Sequence, residues 1–311
     1  MQFRYRGLSS RFHLFFLSVL MSGVAIGQIK APFALRYQSA VKGNMTLIAN
    51  NVVSVSDTGS YNGTLGNHSV NMVFVDADSD TGTFNSCNAT LALPSGLVCP
   101  VIKKAFLYWS AADMEDPGNE PDWDFNKVRL KVPGDTAYTT VMADQVIYQG
   151  RLEHFYNDPY ACVKDITGMI PPDPAGTYWV ANVKAKTGTL YSHGGSNTGC
   201  SGGWVIVFIY ESNSLPQKNI AIFDGYVHVA TEMVPNPLPF SFSGFQTVPT
   251  GNVNVDFLMG SIEGDWDLTG DYCQIQKVDG SWLTMSTPLR QTNNFFHSII
   301  GLEGAQFLNR V

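Results

Sequence analysis

The sequence predicts an all-β protein, a β-sandwich or jelly-roll-like fold with long loops, on three observations. Helical periodicity is nearly absent along the 311 residues. Short β-branched or aromatic runs recur instead, separated by Gly, Pro, Asn and Asp clusters, which is the pattern of strands and turns. Charged residues make up only 14% of the chain while Gly, Ser, Thr and Asn are abundant, a balance found in β-rich extracellular proteins rather than in cytosolic helical ones. No internal repeat is visible, which argues for a sandwich or jelly roll over a propeller.

Taken in order, the runs place strands at 35–40, 45–55, 69–75, 89–93, 104–109, 127–131, 138–147, 178–185, 204–210, 220–226, 239–245 and 253–260. The two richest runs carry no polar alternation. Trp204-Val205-Ile206-Val207-Phe208-Ile209-Tyr210 and Ala105-Phe106-Leu107-Tyr108-Trp109 therefore read as central strands covered on both faces. On such runs Trp109 and Trp204 are expected to pack in the core rather than to stack on a ligand. The intervening loops are long, notably 111–126, 149–160, 167–177 and 187–203, and long loops on a rigid scaffold are where binding usually resides. The first of them is a solvated acidic stretch with Asp113, Glu115, Asp116, Glu120, Asp122 and Asp124.

Residues 1–27 read as a secretory leader. Arg4, Arg6 and Arg11 precede an apolar run from Leu14 to Ile26, and Ala25 and Gly27 suit cleavage before Gln28. The run is shorter than the roughly 20 residues a spanning helix needs, and no other stretch is long and apolar enough to form a membrane segment in residues 28–311. The leader holds three arginines and no acid, so its removal makes a chain of formal charge −7 more acidic still. Nucleic acid is thereby excluded as a partner. Residues 28–311 are long enough for one large β domain or two closely packed ones.

Five cysteines, Cys87, Cys99, Cys162, Cys200 and Cys273, show no metal-type spacing. Export permits disulfides, and the strand-turn segment between Cys87 and Cys99 predicts that pair, with Cys162 to Cys200 second and Cys273 left over. The alternative is buried free thiols packing as small apolar groups.

Three segments hold candidate chemistry. In Asp76-Ala77-Asp78-Ser79-Asp80-Thr81-Gly82, Asp76, Asp78 and Asp80 alternate as hard oxygen ligands suited to calcium, outside the EF-hand pattern. In Glu263-Gly264-Asp265-Trp266-Asp267-Leu268-Thr269-Gly270-Asp271, four carboxylates (Glu263, Asp265, Asp267, Asp271) could wrap a second calcium ion. The competing reading of both is a solvated loop whose carboxylates bond turn amides. Among the histidines after residue 27, only His193, before Gly194-Gly195 and near Cys200, is a candidate ligand or base, against a plain exposed loop residue. The motifs G-x-S-x-G, H-E-x-x-H, C-x-x-C and the phosphate-binding Gly-Lys-Ser/Thr loop are all missing, so no catalytic residue is assigned. Sequons at Asn44, Asn62, Asn67 and Asn88 carry no weight in an Asn- and Thr-rich chain.

The order of several fragments resembles a known family. Pro32-Phe33-Ala34-Leu35-Arg36-Tyr37, then 43–50, Thr83-Phe84-Asn85-Ser86 and 105–109, is similar to the N-terminal region of large secreted, adhesin-like surface proteins of the Bacteroidota, of the gliding-motility-associated type. Gly202-Gly203-Trp204 through Glu211, Leu215-Pro216, Asn219, Phe223-Asp224-Gly225, Glu263-Gly264-Asp265 and Gly270-Asp271 continue that order. The resemblance implies a surface or secreted protein with repeats and a C-terminal domain read by the type IX secretion system. The sequence stops at Val311 without one, which implies a fragment or a protein that stays in the periplasm or outer-membrane region. Asp135-Thr136-Ala137 is similar to the O-glycosylation triplet of that phylum. The expected function is a non-enzymatic adhesion or binding module for a surface glycan or protein. The alternatives are a carbohydrate-active glycosidase or lyase on the same scaffold and a structural spacer or cap.

Overall fold

The structure is a computed structural model that describes residues 29–57, 66–114, 124–229, 237–244, 254–261, 264–277, 279–297, 299–302 and 305–306. It is an all-β sandwich, 47% strand, with no α-helix among the described residues. In the same residues no helix is long and apolar enough to cross a membrane. Residues 1–28, with the expected leader, and residues 115–123 of the acidic loop lie outside the described residues.

The strands are β1 (Ile29–Asn51), β2 (Val53–Ser54), β3 (Val73–Phe74), β4 (Ser86–Leu91), β5 (Val101–Ala112), β6 (Lys127–Lys131), β7 (Thr139–Met142), β8 (Gln145–Gln149), β9 (Pro159–Asp165), β10 (Gly176–Ala181), β11 (Gly202–Glu211) and β12 (Gln217–Val227). Two small hairpins follow, β13 (Gln274–Gln276) with β14 (Trp282–Thr284) and β15 (Gly301–Leu302) with β16 (Ala305–Gln306). The larger sheet runs β12-β1-β11-β5-β9-β8 and the smaller β4-β10-β6-β7. The chain divides into two compact units, one of residues 40–220 and 247–311, the other of residues 1–39 and 221–246.

In the larger unit the sandwich is built by alternation. Ala105, Leu107, Trp109 and Ala111 of β5 and Trp204, Ile206 and Phe208 of β11 all enter one core cluster. The antiparallel register sets Trp204 opposite Trp109, and Ile206 opposite both Leu107 and Ile48. Side chains of the smaller sheet fill the same cluster: Cys87 and Leu91 of β4, Val128 and Leu130 of β6, Val141 of β7, Tyr178 and Val180 of β10. Contacts join the sheets directly. The Tyr178 and Phe208 ring centroids are 5.4 Å apart, and the Trp204 indole N–H donates to Cys87 Sγ at 3.0 Å. Trp109 and Trp204, 1% and 4% exposed, are core residues, and the Trp109 indole donates to the Phe125 carbonyl at 2.8 Å. The outer face of β11 differs from expectation: Ile209 is buried, but Val205 and Val207 are only half covered. An antiparallel strand needs one packed face, and its neighbours' side chains give the other partial shelter.

The single strand expected at 138–147 is two strands in different sheets. Ala143 N–H donates to the Asn126 carbonyl on the β6 side, and Asp144 N–H to the Val163 carbonyl of β9. The chain thus changes sheets within two residues. The Asp144 carboxylate holds the corner, accepting from Lys164 Nζ at 2.5 Å and Asp165 N–H at 2.9 Å. β9 was not expected, and the described parts of 239–245 and 253–260 form no strand.

All five cysteines are free, which corrects the expected Cys87 to Cys99 and Cys162 to Cys200 bridges. Cys87 points into the core from β4 while Cys99 is exposed at the end of the β4 to β5 loop, in a left-handed conformation with φ 45°. Alternation along β4 sends Cys87 inward, where it meets Trp204 rather than the loop.

The smaller unit pairs the start of β1 with the end of β12. A Cβ on Gly225 would meet the Ala31 carbonyl oxygen at 2.6 Å, so only glycine fits that approach. Arg36 grips Asp224 in a bidentate ion pair, Nε to Oδ2 at 2.6 Å and Nη2 to Oδ1 at 3.1 Å.

Candidate functional site

The first acidic loop is a web of turn hydrogen bonds. Asp76 Oδ1 accepts from Ser86 Oγ at 2.9 Å, and Asp80 Oδ1 from Gly82 N–H at 2.8 Å. Asp78 takes the most donors: Asp80 N–H (2.9 Å) and Thr83 Oγ1 (3.2 Å) on Oδ1, Tyr138 OH (2.5 Å) on Oδ2. Burial opposes ionisation of Asp78, but these donors, Tyr138 foremost, outweigh it and hold the carboxyl below its ordinary range. The Tyr138 phenol is pushed up by its own burial and by the carboxylate.

The second acidic segment splits rather than converging. Asp265 Oδ1 accepts from Asn67 N–H at 3.1 Å, and its Oδ2 lies 3.9 Å from His68 Nδ1. Burial raises the Asp265 carboxyl, with Asn67 and His68 opposing and Asp267 reinforcing the shift. Asp267 approaches Gly66, its Oδ1 3.0 Å from where a Cβ there would sit. Asp271 faces elsewhere, its Oδ1 accepting from the amides of Phe295 (2.6 Å) and Phe296 (2.8 Å). Glu263 lies outside the described residues. Among the described residues no three His, Cys, Asp or Glu side chains come together to hold an ion.

The loops around Asp265 belong to one stitched cluster. Asn197 Nδ2 donates to the His68 carbonyl at 2.7 Å, and Asn67 Nδ2 to the Cys200 carbonyl at 3.1 Å. Asn157 Nδ2 reaches Thr198 Oγ1 at 3.1 Å, and His193 N–H donates to the Tyr156 carbonyl at 2.7 Å. Here the third candidate, His193, is an exposed loop residue, as its plainer reading expected, but one with a partner. Its Nε2 is 2.9 Å from Oδ1 of Asp158, whose side chain is 4% exposed, while His193 itself is 34% exposed. His154 stands edge-on to it, ring centroids 5.4 Å apart and planes at 86°. His154, Tyr156 and Asp158 all adopt left-handed φ, 48°, 55° and 52°, three of the five non-glycine cases among the described residues. Each costs on the order of 1 kcal/mol, and such clusters of strain mark functional loops. The carboxylate orients the imidazole as in an acid-base dyad, but the Ser192 hydroxyl beside it accepts from Ser196 N–H at 3.2 Å. Asp158 and His154 were not singled out in the sequence. The Asn157-Asp158-Pro159 turn triplet was the one available signal.

The smaller unit presents a different kind of surface. Phe33, Phe223, Phe240 and Phe242 form one cluster, with Phe33 stacked on Phe240 at 5.2 Å and Phe242 against Phe33, Phe223 and Phe240 at 5.3, 5.1 and 5.5 Å. Phe240 and Phe242 remain 47% and 39% exposed. Segment 239–244 is held by these rings with no strand ladder, so the expected strand became an aromatic strap.

No family model, curated protein or solved structure matches the chain.

Proposed function

We propose that the chain is an exported, adhesin-like binding module of the bacterial cell surface, or of the periplasm and outer membrane, with no catalytic activity. Its ligand is a surface protein or glycan. The observation that carries this reading is the exposed aromatic cluster of Phe33, Phe223, Phe240 and Phe242. A soluble protein leaves large rings together in solvent where a partner covers them, and aromatic faces suit both apolar side chains and the C–H faces of sugars. The leader at 1–27, the long loops and the resemblance to secreted adhesin-like proteins support the same reading.

The test is binding of untagged protein to a glycan array and to outer-membrane vesicles immobilised on a sensor surface. Phe240→Ser with Phe242→Ser is expected to abolish binding while the sandwich stays folded. Equal binding by wild type and double variant, or binding by neither, overturns the proposal.

A further inference from the structure

The outer face of the smaller sheet carries positive charge in a chain that is acidic as a whole. The sequence holds 26 Asp and Glu against 19 Lys and Arg, yet no acid occurs in β4, β6, β7 or β10. In β6, Val128 and Leu130 enter the core, so Lys127, Arg129 and Lys131 all stand on the opposite face. Alternate residues of a strand are about 7 Å apart, which makes the three a regular row of cations.

Two of the three are not neutralised by the protein. Lys127 is paired with Asp124, Nζ to Oδ2 at 2.5 Å. Among the described residues neither Arg129 nor Lys131 has a carboxylate within ion-pair distance. Arg129 passes close to the first acidic loop, its Nη1 2.9 Å from where a Cβ on Gly82 would sit. The acids of that loop are committed elsewhere, Asp78 to the Tyr138 hydroxyl and Asp80 to the Gly82 amide. Lys131 is held by rings instead. The register sets it opposite Trp179 of β10, which in turn faces Asn88 of β4. Lys131 Nζ lies 5.0 Å from the centroid of the Trp179 ring and 4.7 Å from that of Tyr138. An ammonium between two rings is fixed in place and keeps its charge. Both rings are half-buried, and the Trp179 indole N–H finds no acceptor among the described residues. Hydroxyls complete the face: Thr90 and Thr177 share a hydrogen bond at 3.1 Å, and Thr140 stands opposite Arg129.

We infer that this face binds an acidic saccharide, a glycan bearing sugar carboxylates, with Arg129 and Lys131 gripping one carboxylate between them and Trp179 and Tyr138 packing on the C–H groups of the ring. The unpaired cations ask for an anion, and guanidinium and ammonium both bond a carboxylate strongly. An extended acidic peptide fits less well, because peptides add to a sheet edge through their backbone, whereas this is a flat platform of rings and hydroxyls. The site belongs to the larger unit and the phenylalanine cluster to the smaller, so the two stand or fall independently.

The test is calorimetry on untagged protein with oligogalacturonate, oligomannuronate and sialyllactose, each against a neutral counterpart: the methyl esters of the first two, and lactose. At least one acidic probe is expected to bind while its neutral counterpart does not, and added salt should weaken the binding. Arg129→Gln and Lys131→Gln should each lower affinity about tenfold or more, and Trp179→Ala should lower it as well. Lys127→Gln removes a charge already met by Asp124 and should change affinity less than about twofold. Arg129 and Lys131 lie outside the core, so their variants carry the test even where Trp179→Ala fails to fold. Binding of no acidic probe, equal binding of a neutral counterpart, or unchanged affinity in both charge variants overturns the inference. Poly-glutamate bound as tightly as the saccharide overturns it too, since the face would then read charge alone.

Discussion

The two compact units handle aromatic and apolar side chains in opposite ways. In the larger, β5 and β11 turn alternate residues into a core where Leu107, Ile206 and Phe208 are fully buried. In the smaller, four phenylalanines touch one another and still leave Phe240 and Phe242 substantially in solvent. The difference separates two uses of the same chemistry. Rings and aliphatics buried between sheets supply stability, and rings gathered at a surface supply contact area.

The sharpest break of that contrast is thiol reactivity, because a closed core should shield its cysteines completely. Burial pushes the Cys87 and Cys162 thiols up to about 12 and Cys200 to about 11. Only Cys99, exposed, and more slowly Cys273 should react with a thiol reagent at neutral pH, and all five in denaturant. Fewer than five in denaturant would restore a disulfide. Next in size is Leu107→Ala, expected to cost about 2–5 kcal/mol by leaving a cavity between the sheets. Phe242→Ser, at a half-exposed site that packs on three rings, should cost about 1 kcal/mol, well below Leu107→Ala. A loss as large as that of Leu107→Ala would make the aromatic cluster a second core.

Tyr138→Phe should cost about 1.5 kcal/mol, the low end for a hydrogen bond to a charged group because Asp78 is partly solvated. Its pH dependence sharpens the point. The Asp78 carboxyl is lower in the folded than in the unfolded chain, so its stabilisation is present above the unfolded value of 3.8 and is lost as pH falls through the folded one. Asp265, raised by burial, acts with the opposite sign, destabilising as pH rises from 3.8 through its folded value. Tyr138→Phe should therefore flatten the loss of stability below about pH 4, and an unchanged acid limb would remove Asp78 from that role. The smallest effect concerns calcium, proposed for the acidic loops. Asp76, Asp78 and Asp80 already accept protein donors, so melting in calcium and in chelator should differ by at most about 2 °C. A larger rise in calcium, abolished by Asp80→Ala, would give that loop a bound ion.

Much of the sandwich was legible because its signals are local. The apolar runs marked β5 and β11, and Lys127–Lys131 matched β6 at both ends. β9 escaped because Pro159, Asp158 and Asp165 frame it with turn residues, although pairing with β5 and β8 makes it a strand. The corner at Ala143-Asp144 was invisible for a related reason. The polar step Asp144-Gln145 that interrupts the run does not by itself report a change of sheet, which only the distant partners Asn126 and Val163 reveal. The acidic loops were found but their partners were not, since Ser86, Tyr138 and Asn67 are fixed by tertiary pairing. His193 stood out as a residue, but its neighbours Asp158 and His154 did not, because folding brings them to it.

The register of β1 against β11, Gly43 to Glu211 through Asn51 to Gly203, also bears on when the protein can form. β1 opens the described chain, yet both its neighbours in the sheet, β11 and β12, come after β10. Loop closure over such a distance is slow, and strand pairing between remote segments retards folding. The hairpin of β8 and β9, close in sequence, can assemble early. β1 must then wait, edges bare, until most of the chain has been made, and for that interval it is the segment most open to capture by another strand.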